Sequence, residues 1–225
     1  MNDPTKQISL NILALVVFLL MISSLVGPLI QVSPLIPSLL IFGLLVGTSL
    51  DNFFLQSRVA GLVIDTIARR DPKYVDRIIH HEAGHFLLAQ IWEIPVTSYS
   101  LSAWEAWQQG QVGQGGVAFA PPPDQISGQL LDRYCMVWMA GVAAEQLIYN
   151  NSQGGGDDRQ KLRGMLTLAG CNAGGLNRAE NAALVQARNQ IEIHRSSFDA
   201  LVLALKAGQP VADCCALIAP DLAQA

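Results

Sequence analysis

The sequence predicts a mainly α-helical protein, an N-terminal transmembrane hairpin followed by one helical domain with a small β-sheet, and three observations predict it. No charged residue occurs from residue 7 to residue 50, whereas charges recur regularly from Asp51 onward. After Asp71 the apolar residues return at helical spacing over long stretches. Two short β-prone runs, around Val96–Leu101 and Gly116–Ala120, interrupt that pattern.

The chain has 225 residues, 51% hydrophobic and 14% charged, with 14 Lys+Arg against 18 Asp+Glu. That composition excludes a disordered chain and a basic nucleic-acid binder. A bilayer core needs roughly 20 apolar residues, and Ile8 to Val26 supplies them as a first span. Pro28, Gln31, Pro34 and Pro37 suit a turn, and Ile36 to Leu50 gives a second, shorter span. A single span followed by a segment lying on or dipping into the bilayer is the alternative. The surroundings of Ser23, Ser24 and Gly27 match a signal-peptidase site poorly, so the segment is expected to be retained. Arg58, Arg69, Arg70 and Lys73 follow the second span, which by the positive-inside rule puts the large domain on the cytoplasmic or stromal side. The expected organisation is a membrane anchor over 1–52, an interfacial linker helix over 53–70 and one folded domain over 71–225. In the linker Leu55, Val59, Leu62 and Ile67 stand near helical spacing. The domain is large enough for one core and too small to hold an ATPase as well.

Asp71-Pro72 is a helix start signal, and the apolar pattern from Val75 to Ile91 predicts a helix over 72–93 that Pro95 ends. Helices are expected over 127–149, 157–169 and 178–206, separated by glycine-rich breaks, with a short terminal helix beyond Pro210. The four cysteines form no CxxC pair, which argues against a disulfide framework or a thiolate metal site.

Within the helix over 72–93 stands His81-Glu82-Ala83-Gly84-His85, an HExxH sequence. The i, i+4 spacing puts both imidazoles on one face, where they can share one Zn²⁺, and Glu82 lies one step round, within reach of a water at the metal. His80 has no partner at that spacing. Zinc needs a third protein ligand, and no further histidine follows at a suitable distance, so a carboxylate is expected: Glu93, Glu105, Glu145, Asp157 or Asp158. Asp158 is favoured because it opens the stripe continued by Leu162, Met165, Leu166 and Ala169, where an acid needs a partner. Asp157 reads as a helix cap or a solvated neighbour. Glu145 reads either as a hydrogen-bond partner of a metal-bound imidazole or as an exposed helix end. Gly141, Ala143 and Ala144 suit the close approach of two helices. Trp104, Trp107, Gly113, Gly115 and Gly116 suit either a substrate-side loop or a plain hairpin insertion.

The order HEAGH, a Pro-Val strand, a second strand ending in prolines, then Ala140-Gly141-Val142-Ala143-Ala144-Glu145 and Gly154-Gly155-Gly156-Asp157-Asp158 resembles the peptidase domain of the FtsH family of membrane zinc proteases. The likeness runs from about Asp71 to Ala169. In that family an AGRAAEE-like segment precedes a GAxxD segment whose aspartate is the third zinc ligand, which the resemblance assigns to Asp158. The chain departs from the family in having no GxxxxGK[ST] and so no ATP site of its own, in Val142 and Gln146 where arginine and glutamate stand, and in an extra loop over 103–111. It looks like the short, ATPase-free forms of cyanobacteria and plastids.

The implied function is a membrane-anchored zinc endopeptidase acting on unfolded or flexible polypeptide segments, alone, as a hexamer or with a partner ATPase. Glu82 would serve as general base. Substrate would add as a strand beside Val96, Thr97, Ser98 and Tyr99. The rival is a proteolytically silent adaptor that keeps the fold. An intramembrane protease is disfavoured because the helix that carries HExxH also carries Asp76, Arg77 and His80.

Overall fold

An unbroken apolar run, a charged amphipathic segment and an all-round apolar helix each give a different kind of element in the computed structural model, which describes residues 4–31, 33, 35–54, 58–111, 115–123 and 126–222. In chain order these are α1 (Pro4–Val26), a 3₁₀ turn (Gly27–Ile30), α2 (Leu35–Phe54), α3 (Arg58–Ala68), α4 (Pro72–Ile91), β1 (Val96–Ser100), α5 (Ala103–Gln108), β2 (Gly116–Phe119), α6 (Gly128–Tyr149), α7 (Gly156–Leu168), α8 (Ala173–Ile193), α9 (Arg195–Lys206) and α10 (Val211–Leu222). The protein is mainly helical, with one small antiparallel sheet of two strands among the described residues. Two compact units emerge: Met1–Asp71 with Ser102–Gly115, and Pro72–Leu101 with Gly116–Ala225.

In the first unit, Gln7–Val26 of α1 is long and apolar enough to cross a membrane, and the apolar part of α2, Leu35–Asp51, is shorter. Asp51, which ends the uncharged run, is buried and accepts the Val59 and Ala60 amides at 3.1 and 3.0 Å, satisfying the orphan donors at the start of α3. The expected linker helix over 53–70 is therefore shorter, α2 running on to Phe54 and α3 beginning at Arg58. Leu55 lies outside the described residues. Buried Asp65 receives the Arg69 Nε–H at 2.9 Å and the Ala103 amide at 3.0 Å, tying α5 to α3. The segment expected as a loop over 103–111 holds this helix, which Ser102 caps by accepting the Glu105 amide at 3.1 Å. Gly113 lies outside the described residues.

In the second unit, α6 is the central helix. It is apolar on all sides from Tyr134 to Ala144 and packs against α4 and α8. Ser127 caps its start by accepting the Leu130 amide, and Asn150 ends it in the left-handed conformation. The α4 and α6 backbones meet closely: a Cβ on Gly84 would lie 2.6 Å from the Ala140 carbonyl oxygen and 3.0 Å from Ala144 Cβ. Of the small residues expected to serve helix approach, Ala144 does so here, together with Ala140, against Gly84.

α4 stops at Ile91, two residues before the expected end. The Ile94 amide reaches back to the Ala89 carbonyl and the Glu93 amide to that of Gln90, with Glu93 at φ 55°. This is a Schellman closure in which Glu93, a candidate ligand, is an exposed helix stop. The helix expected over 178–206 is two helices. The first begins earlier, at Ala173, capped by Asn172, whose side chain accepts the Gly175 amide. His194 breaks the run at φ −101°, ψ 38°, and α9 turns onto α4. The sheet pairs Val96 with Phe119 and Ser100 with Gly116, with an irregularity between Val96 and Ser98.

Candidate metal centre

The i, i+4 histidines of α4 point together, their ring centroids 4.8 Å apart. Asp158, in the first turn of α7, is brought up against both: its Oδ2 lies 3.3 Å from His81 Nε2 and 3.3 Å from His85 Nε2. The three ligand atoms lie within 4.8 Å of one another, so the group could hold a metal ion. A tetrahedral ion with ligand bonds near 2.05 Å would space its donors by about 3.3 Å. The two nitrogen–oxygen distances therefore already suit one cation.

Both rings are held from behind so that Nε2 faces inward. His85 Nδ1 donates to the Val137 carbonyl at 2.7 Å, and His81 Nδ1 donates to Glu145 Oε1 at 2.8 Å. Glu145 is 1% exposed and is itself fixed by Arg77 Nη1 at 2.8 Å and by the amides of Gln153 and Gly154 at 2.8 and 3.2 Å. Of the two roles open to Glu145 in the sequence, this is the imidazole partner. Arg77 also donates to the Asn151 side chain, and its guanidinium stacks 4.2 Å above the Tyr149 ring.

Charge follows this geometry. Burial alone would lower the His81 pKa, but hydrogen bonds to Asp158 and Glu145 and the charge of Glu82 outweigh it, and the value rises to about 10. Burial would likewise raise Glu145, yet its bonds to His81, Gln153 and Arg77 bring it down to about 2. Asp158 is held well below the usual carboxylate range, against burial, by the charge of His85 and by hydrogen bonds from both imidazoles.

Glu82 is turned toward the sheet, where its Oε2 accepts the Val117 amide at 2.8 Å. The strand that touches it is β2; Val96, Thr97, Ser98 and Tyr99 form the partner strand β1. Gly116, at φ 134°, keeps the strand close, since a Cβ there would stand 3.2 Å from Glu82 Oε2.

No family model matches this chain, and no curated protein matches it.

The other sequence candidates fall elsewhere. Asp157 is exposed in the first turn of α7, whose cap is Gly155. Glu105 belongs to α5. His80 faces away from the pair, its Nδ1 donating to the Asp76 carbonyl at 2.6 Å and lying 3.0 Å from the Tyr149 hydroxyl. Val142 is buried under Gly155, where a Cβ would collide with its Cγ2. Three contributors escaped the sequence reading: Arg77, the Val137 carbonyl and Gly141. A Cβ on Gly141 would come within 2.5 Å of His81 Cδ2 and Cε1. Only Arg77 left a signal, since at i−4 from His81 it shares the face of the first imidazole.

Proposed function

We propose that this protein is a membrane-anchored zinc endopeptidase of the FtsH-peptidase type, without an ATPase of its own. The observation that carries the reading is the convergence of His81 Nε2, His85 Nε2 and Asp158 Oδ2, with both Nδ1 atoms already committed, beside the carboxylate of Glu82. Two nitrogens and one oxygen are the ligand set of a catalytic zinc with its fourth position open. Bound there, zinc would supply Lewis acidity toward a scissile carbonyl and an acidified water. The chain's own residues do the rest. Glu82 takes the proton of the attacking water and passes it to the leaving amine nitrogen. Glu145, anchored by Arg77, keeps the His81 ring turned. The β1–β2 sheet offers backbone against which an extended segment can lie.

α1 supports the membrane anchor, the shorter α2 a second span, and the basic residues after α2 a cytoplasmic or stromal peptidase. A site with no attached motor accepts backbone that is already extended, because opening a folded substrate typically costs about 5–15 kcal/mol. The full chain in detergent, loaded with zinc, is therefore expected to degrade casein without ATP and to spare a stable folded domain. Chelator and Glu82→Gln should both stop the reaction. Zinc-loaded protein that leaves every unfolded chain intact would favour the silent adaptor instead.

A further inference from the structure

α3 and α5 turn their polarity inward. α3 buries Asp65 and exposes Val59 and Val63; α5 buries the small Ala103 and Ala106 and exposes Trp104 and Trp107. Both internal carboxylates of this unit serve backbone amides, Asp51 those of Val59 and Ala60, and Asp65 that of Ala103. In water this arrangement is the wrong way round, since a short helix gains most by burying its aromatics and exposing its small residues. The two indoles stack edge to face at 5.8 Å, and Trp104 borders a shallow groove floored by Leu62, Val63, Thr66 and Ile67. α3 packs against both α1 and α2, so this face adjoins the helix that is long and apolar enough to cross a membrane.

We propose that α3 and α5 form one surface lying in the headgroup–acyl boundary of a lipid bilayer, with Trp104 and Trp107 as its anchors. Continuity with α1 selects lipid over other occupants, and tryptophan, with an apolar ring and one N–H donor, is the side chain that boundary favours. α5, which lies between β1 and β2 in the sequence, is then held at the lipid surface. The inference rests on the membrane-anchored reading and extends it to a part of the chain remote in sequence from the span.

The test uses the full chain reconstituted into phosphatidylcholine–phosphatidylglycerol vesicles whose acyl chains carry bromine at either a shallow or a deep position. Of the four tryptophans, Trp138 is buried and Trp92 half-buried under the Arg133 guanidinium, so Trp104 and Trp107 should supply most of the bromine-quenched emission, shallow bromine quenching more than deep. Trp104→Phe with Trp107→Phe keeps the apolar packing and should remove most of that quenching. Unchanged quenching in the double variant overturns the proposal. Indoles shielded from acrylamide but not quenched by lipid, with shielding that grows with protein concentration, would assign the face to a second copy and also overturn it. A chain that sediments with vesicles yet shows no lipid-quenched Trp104 or Trp107 removes this inference and leaves the anchor standing; failure to sediment removes both.

Discussion

Gly141 faces His81 so closely that any side chain would fall on the imidazole, and the residue is fixed by what its neighbour needs. Gly141→Ala is expected to abolish stoichiometric zinc binding, read by elemental analysis of purified full-length protein. Glu145→Ala, which takes from the His81 ring its Nδ1 partner and from Arg77 one of its acceptors, should weaken zinc affinity by about 10–100-fold in a competition titration. His81 sets a pH dependence. Its pKa is raised to about 10, so at neutral pH a cation arriving between the ligands must displace a proton. Affinity should rise roughly tenfold per pH unit from neutrality toward that value, with about one proton released per zinc. Calorimetry in buffers of different ionisation enthalpy checks the proton count. At this scale the legible part was the part written in residue types. The histidines stand at helical spacing, and Asp158 opens an apolar stripe whose Leu162 and Leu166 are buried. A carbonyl such as that of Val137 carries no residue-type signature, and the clearance at Gly141 looks like the helix contact that Gly84 makes.

α6 measures the site against α4. Val137, Gly141 and Glu145 recur every four residues, and the two that bond the imidazoles meet His85 and His81 in antiparallel order. One residue inserted between Val137 and Glu145 would turn one contact by about 100° relative to the other, so the length of this stretch is held as tightly as its composition. The break at His194 was invisible for a similar reason. Ala183, Ala187 and Ile191 lead on to Phe198, Leu201 and Leu205 at spacings a continuous helix would also give, so periodicity joined what the backbone separates. α5 was missed because six residues are too few for a period to show, and its buried face is only Ala103 and Ala106 while both indoles point outward. The seat of α9 on α4 rests on packing. Phe198 is wholly buried, and Phe198→Ala should cost about 3–5 kcal/mol. The Lys206–Asp76 pair is exposed, and Lys206→Ala should change stability by less than about 1 kcal/mol. Denaturant unfolding of the two variants in detergent compares them.

At the scale of the whole molecule, the mainly helical character and the small sheet were legible because long periodic runs and β-branched interruptions fill most of the chain. The membership of 102–115 in the first unit was not, because it rests on packing between α3 and α5, which lie far apart in sequence, the Asp65–Ala103 hydrogen bond included. A carbonate wash is expected to leave the full chain in the membrane fraction, with α1 as the retaining segment. The contact between Asp65 and Ala103 also gives the protein a schedule. The carboxylate is synthesised 38 residues before the amide it receives. At about 5–20 residues per second the ribosome makes the first helices wait roughly 2–8 seconds for their last member. During that interval α1 to α3 must manage without α5, and a gene cut at residue 71 would make the wait permanent.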